Sequence, residues 1–245
     1  RKMARRRRGN PVNGWIILDK PSGVTSTHAV NVVRRVFDAA KAGHSGTLDP
    51  LATGVLPIAL GEATKTIPYA MDANKDYRFE VQWGEERDTD DCEGAVIRTV
   101  GVRPDSDSIK KVLADFVGII QQVPPRYSAI KIQGQRAYDL ARNDQPVELS
   151  ARDILIESFT LAEIIDPDHA AFLVTSGKGA YMRALARDLA IAVGTVGHIS
   201  ALRRMRVGPF QENNAISLDS LQALAHSRAA FEHLLPVETA LDGIP

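Results

Sequence analysis

Residues 77–83, Tyr-Arg-Phe-Glu-Val-Gln-Trp, place a large apolar side chain at every second position and a polar one between. A period of two over seven residues is the pattern of a β-strand with one dry and one wet face. Such a strand belongs in a sheet covered on one side, which favours antiparallel or mixed pairing over a fully buried parallel sheet. Further strands are predicted over residues 14–18, 55–60, 127–132, 154–165, 170–175 and 199–207. Helices are predicted over 28–40, capped by Ser26 or Thr27, and over 106–116, 135–142 and 180–193; Ser217 caps a last one through Ala225. Val30, Val33, Phe37 and Ala40 form the apolar stripe of the first helix. Loops are predicted over 43–54 and, rich in acidic residues, over 85–93. Strands and helices are interspersed without a regular βαβα order. The expected class is therefore α+β, a mixed, largely antiparallel sheet flanked by helices.

Of the 245 residues 44% are apolar and 24% charged, which excludes a disordered chain, a fibrous repeat or a coiled coil. No apolar stretch approaches the ~18 residues of a membrane helix, and no apolar segment follows the basic start as in a secretory signal. Cys92 is the single cysteine, so an internal disulfide and a Cys-rich zinc site are excluded and a cytoplasmic setting is expected. The 30 basic and 30 acidic residues balance, yet six of the basic ones fall in residues 1–8. Residues 1–10 read as a flexible basic tail, either solvated or an arm for a polyanion. No Gly-x-Gly-x-x-Gly follows a strand and no P-loop occurs, so no nucleotide cofactor is expected. The six histidines form no His-x3-His pair or His-Glu-x-x-His helix, so no metal is expected either. Gly43-His44-Ser45-Gly46 fails as a nucleophile elbow because position 47 is Thr.

The densest peculiarity is residues 43–54, Gly-His-Ser-Gly-Thr-Leu-Asp-Pro-Leu-Ala-Thr-Gly, where three glycines and a proline surround one carboxylate. Two readings stand side by side. Asp49 before Pro50 is a turn former bonded to nearby backbone, or it is a nucleophilic carboxylate on a rigid loop at a cleft.

Residues 43–54, with Gly61-Glu62-Ala63-Thr64-Lys65, resemble the catalytic motif of the TruB family of bacterial tRNA pseudouridine synthases. So do, in order, residues 15–25, residues 75–78, Pro124-Pro125-Arg126-Tyr127-Ser128-Ala129-Ile130-Lys131, the Ser176, Lys178, Gly179, Tyr181, Arg183 set, and Leu202-Arg203-Arg204. The acidic loop departs from the family pattern, with Arg87 where a Thr is usual. The resemblance implies isomerisation of uridine to pseudouridine at position 55 in the tRNA T loop, on a flipped-out base. It implies Asp49 as nucleophile, Arg183 as its cationic partner, and Tyr77 as an aromatic face that also serves proton removal. It further implies substrate contacts from His44, Tyr77, Tyr181, Leu202 and Lys20; Lys20, Lys65, Lys131, Arg203, Arg204 and Arg206 are the expected phosphate contacts, since RNA backbone is held by Lys and Arg. From the residues alone, Arg183 reads equally as a solvated cation beside Arg187, Tyr181 as core packing with Leu185 and Leu189, and His44 as a neutral core histidine. The partner implied is the T arm, bound by a monomer that needs no cofactor and no obligatory protein partner. Residues 11–235 would form the catalytic domain, and 236–245 the start of a linker to a PUA-type RNA-binding domain absent from these residues. The rival functions are an RNA-guided pseudouridylase and a noncatalytic RNA-binding or RNA-folding module.

Overall fold

The structure, a computed structural model, describes residues 8–128, 131–132, 135–137, 139 and 149–245. The basic tail up to residue 7, part of the 127–132 strand and most of the 135–142 helix lie outside the described residues, as does the Lys131 side chain. Of that helix, residues 135–136 are strand instead. The chain divides into two compact units, residues 1–76 with 203–245, and residues 77–202.

In the first unit β1 (Gly14–Lys20) pairs antiparallel with β3 (Thr53–Leu60), from Gly14 opposite Leu60 to Lys20 opposite Gly54. The short β2 (Ala42–His44) covers the start of the loop on the other edge of β3. Residues 203–204 lie parallel to Thr53 and Gly54, so Lys20, Gly54 and Arg204 form one row across three strands. Both faces of β1 and β3 are buried, which explains their unbroken apolar runs. Trp15, Ile17, Val55 and Ala59 join Val207, Phe210 and Ala240 in one core cluster. Residues 237–241, read from sequence as part of a linker, form a 3-10 turn that places Ala240 in this core.

Helix α1 runs Ser26–Val36, and its cap is Thr25, which accepts from the His28 amide at 3.1 Å. This shifts the expected start by two residues. Three successive hydroxyl residues can each cap a helix, and the Ser26 hydroxyl is used elsewhere. The helix also ends early, at Val36 with Phe37 as its C-cap, because Asp38 takes a left-handed φ of 45°. Its buried stripe is Ala29, Val30, Val32, Val33 and Val36.

The second unit contains most of β4 (Lys75–Trp83), whose side chains alternate buried and half-exposed as the period of two predicts. Glu85–Arg87 (β5) and Val96–Thr99 (β6) form a hairpin, so the acidic loop is its turn and not a free connection. Helix α2 (Ile67–Asp72) belongs to the first unit; α3 (Ser106–Leu113), capped by Asp105, opens the segment leading to β7 (Gly118–Gln122). The two-residue strands β8 (Lys131–Ile132) and β9 (Gln135–Arg136) pair with each other. The long β10 (Arg152–Asp166) pairs antiparallel with β7 and with β11 (His169–Ser176). Phe79, Phe159 and Phe172 meet with ring centroids 5.5–5.9 Å apart and fill the dry face. Helix α4 (Met182–Ala192) buries Ala184, Leu185, Ala186 and Leu189, and β12 (Gly197–Val207) runs next to β4. With parallel pairs at β12–β3 and at β1 with Ile216–Ser217 among antiparallel ones, the sheet is mixed and the α+β class is confirmed.

Gly54 tests the row across β1, β3 and β12. Its φ is 104°, and a Cβ there would lie 2.1 Å from the Arg204 carbonyl oxygen. Gly23 shares the positive φ, at 85°, but faces open space. In urea unfolding, Gly54→Ala should cost ~1–3 kcal/mol more than Gly23→Ala, because only the former also overpacks a strand contact. Equal losses would show that β12 yields freely.

Candidate active site

The loop bearing Asp49 is irregular backbone, so its polar groups need partners that no ladder provides. The segment after β1 supplies them. The Ser26 hydroxyl donates to the Leu48 carbonyl and accepts from the Leu48 amide, both at 2.9 Å. On the other side of Asp49, the Pro50 carbonyl accepts from the Gly23 amide at 2.7 Å and from Lys20 Nζ at 3.2 Å. Lys20 is fully buried and also donates to the carbonyls of Pro21 and Val24, at 2.8 and 2.7 Å. Asp49 itself is half-buried, and its carbonyl accepts from the Ala52 amide at 2.9 Å. The residues flanking the carboxylate are thus tied to the turn that follows β1 and to the first residue of α1.

The start of the loop is held by Arg204, which is buried and donates to the carbonyls of Val55 and Gly46 at 2.9 and 3.1 Å. His44, at the end of β2, is half-buried. Burial first, and the Arg204 guanidinium second, push its pKa below the usual histidine value, which favours the neutral ring. Lys20 and Arg204, expected to touch RNA phosphate, are buried and donate to backbone carbonyls of this loop and the strand after it. Arg203 forks onto Asp19 at 3.1 and 3.2 Å and reaches Glu212, Arg206 forks onto Asp76, and Lys65 pairs with Glu62.

The remaining expected residues lie in the second unit. Tyr77 and Leu202, on the adjacent strands β4 and β12, are each 8% exposed. Tyr181 occupies the cap position of α4, and Arg183 follows in its first turn, only 4% exposed. That burial overturns the solvated reading of Arg183. Its Nη1 donates to the Thr89 carbonyl at 3.1 Å, in the acidic turn. Asp90 in that turn adopts a φ of 60°, and its carboxylate accepts from Arg187 at 3.3 Å. Arg87, the departure from the family pattern, closes the turn from within by donating to the carbonyls of Cys92 and Gly94. Sequence reasoning missed Ser26 and the role of the acidic turn. A signal for the first existed: Thr25-Ser26-Thr27 holds more hydroxyls than one helix cap requires.

Burial pushes the Asp90 pKa up to about 6, against the opposing pull of Arg187 and then Arg183. The native state therefore keeps this proton at pH values where an unfolded chain has released it near the ordinary 3.8. Stability contributed by Asp90 is full below that ordinary value and is lost as pH rises toward 6, by up to ~1.4 kcal/mol per unit. Urea unfolding between pH 4 and 6.5 should show a steeper decline for the parent than for Asp90→Asn. Parallel curves would mean that the carboxylate titrates normally.

Among the described residues no group of three or more His, Cys, Asp or Glu side chains is placed to hold a metal ion, and no helix is long and apolar enough to cross a membrane. Residues 34–182 match the N-terminal domain model of TruB family pseudouridylate synthases, and residues 183–242 the C-terminal domain model of tRNA pseudouridylate synthase B. The tRNA pseudouridine synthase B of Rhodospirillum rubrum is 60% identical over 99% of this chain and 79% of its own length. That of Bradyrhizobium diazoefficiens is 58% identical over 98% and 71%. Among solved structures, a chain of a Cbf5-Nop10-Gar1 complex matches with a TM-score of 0.71 and 29% identity, over 93% of this chain and 61% of that one. An H/ACA RNP bound to a substrate RNA containing 2′-deoxyuridine matches at 0.70 and 26%, over 97% and 67%. With the loop around Asp49 built from the family's own motifs, and both family models matched in succession, the chain belongs to the TruB family of pseudouridylate synthases.

Proposed function

We propose that this chain converts uridine 55 in the tRNA T loop to pseudouridine, with Asp49 as nucleophile on a flipped-out base. The reaction breaks the N1–C1′ bond and forms C5–C1′, and the C5 proton is replaced by one on N1. It is redox-neutral and asks of the protein only a nucleophile, a proton acceptor and a held base. The observation that carries the reading is the fastening of Leu48 and Pro50, which fixes the backbone on both sides of one carboxylate. A turn former needs no such support from 22 to 30 residues away. The names of the curated relatives support tRNA as the substrate, and the RNA-bound structural neighbour supports RNA as the ligand class. In this reading the buried Arg183 acts on Asp49, Tyr77 and Leu202 line the base, Tyr181 packs beside it, and the neutral His44 stacks where the base departs. The enzyme works on free tRNA in the cytoplasm, without guide RNA or partner protein.

Tritium release from C5-labelled uridine in a free T-arm hairpin tests this directly. The parent should release tritium without any guide or partner, which an RNA-guided enzyme would not. Asp49→Asn should bind the hairpin and release none, since the amide keeps the shape and lacks the nucleophile. Turnover by that variant at the parent's rate would sink the assignment.

Arg183→Met keeps the apolar stem and removes the charge. With RNA saturating, its single-turnover rate should fall by ~10²-fold or more, as when a preorganised charge is removed from a reacting centre. A phosphate contact would instead weaken RNA binding and leave the saturated rate alone. That second result would remove Arg183 from the chemistry.

A further inference from the structure

We infer that the side-chain amide of Gln122 is a positioning residue for this reaction, setting where helix α4 begins and hence how Tyr181 and Arg183 are presented. The inference rests on the pseudouridine synthase reading above. Helix α4 has no side-chain cap of its own: Tyr181 stands at the cap position and offers none. A helix start leaves its first amides in need of partners. Gln122, the last residue of β7, is 2% exposed and reaches across 59 residues of sequence to fill that need. Its Oε1 accepts from the Tyr181 amide at 2.9 Å, and its Nε2 donates to the Tyr181 carbonyl at 3.2 Å. One side chain thereby satisfies both backbone groups of the residue two before Arg183.

The next residue repeats the fastening. Arg187, one turn beyond Arg183, donates from Nη2 to the Val123 carbonyl at 2.6 Å and from Nη1 to Asp90. Gln122 and Val123 therefore grip α4 two residues before and four residues after Arg183. Pro124 and Pro125 follow directly and stiffen that segment. A buried amide is costly unless both its ends are bonded. An apolar residue would fill the same volume without that requirement, but it would leave the helix start unfastened.

The full chain carrying Gln122→Met or Gln122→Glu is assayed for single-turnover tritium release from the T-arm hairpin, with RNA saturating, from pH 5 to 8. Thermal melts confirm that each variant is folded at the assay temperature. Gln122→Met should lose about 10- to 100-fold in rate, as misplaced catalytic groups do, with RNA affinity within about twofold. Gln122→Glu supplies a donor and an acceptor when protonated and acceptors only when ionised. Its rate relative to the parent should therefore fall as pH rises, while the Met ratio stays flat. The charged groups facing this segment, Arg152 opposite Gln122 on β10 and Arg187 with its partners Asp90 and Asp188, are common to all three proteins, so the ratios isolate position 122. Hydrogen exchange at the Tyr181 amide should quicken at least about tenfold in the Met variant. A Met variant at the parent's rate, or a Glu ratio independent of pH, would overturn the positioning role; unchanged Tyr181 exchange would overturn the clamp itself. A parent that releases no tritium overturns the reaction reading, and with it this role for Gln122, while the exchange measurement still decides the clamp.

Discussion

The Asp49 loop is ordered backbone because Ser26, the turn after β1 and Arg204 satisfy its polar groups. Irregular backbone at the end of a buried sheet carries amides and carbonyls with no ladder partner, and each left unpaired costs ~1–3 kcal/mol. The Ser26 hydroxyl, donor and acceptor at once, answers both groups of Leu48. The Lys20 ammonium, buried among the carbonyls of Pro21, Val24 and Pro50, ties the loop to the turn that ends β1. A buried ammonium is tolerable only in so polar a setting. The antiparallel register that sets Lys20 opposite Gly54 brings these partners within reach.

The second unit solves a similar problem with different residues. Arg183 is buried at the start of a helix packed on its alanine and leucine face, so its guanidinium must be aimed by what surrounds it. The carbonyl of Thr89 accepts from it, while Asp90 in the same turn holds Arg187. The acidic segment is thus more than a run of surface charge. It is a compact turn that offers one carbonyl and one buried carboxylate to two arginines of α4. Its departure from the family pattern, Arg87, is absorbed because that side chain bonds backbone inside the turn.

Much of this was legible from the residues. The period of two over 77–83, the apolar runs of β1 and β3, and the α+β class follow from patterns that side-chain burial imposes locally. The candidate residues themselves came with the family resemblance, since spacing left Asp49 balanced between turn former and nucleophile and Arg183 between active cation and solvated side chain. The local patterns failed where long-range partners intervene. Ser26 was read as a cap because hydroxyls near a helix start usually cap it, yet Thr25 takes that position and Ser26 bonds a residue 22 positions away. Lys20 and Arg204 were read as phosphate contacts because RNA backbone is held by Lys and Arg; in the fold both are buried, and carbonyls distant in sequence, those of Pro50 and Val55, accept from them.

What the sequence determined by itself is the period, and so the alternation of faces, the strand and helix types and the family. These depend on neighbours within a few residues or on whole motifs. Only the tertiary structure decided which partner each buried polar side chain takes. Hydrogen-bond partners 22 to 94 residues apart, such as Ser26 with Leu48 or Arg183 with Thr89, are chosen by strand register and helix packing. A one-dimensional pattern encodes the need of a buried polar group for a partner, but not which partner the fold will bring to it.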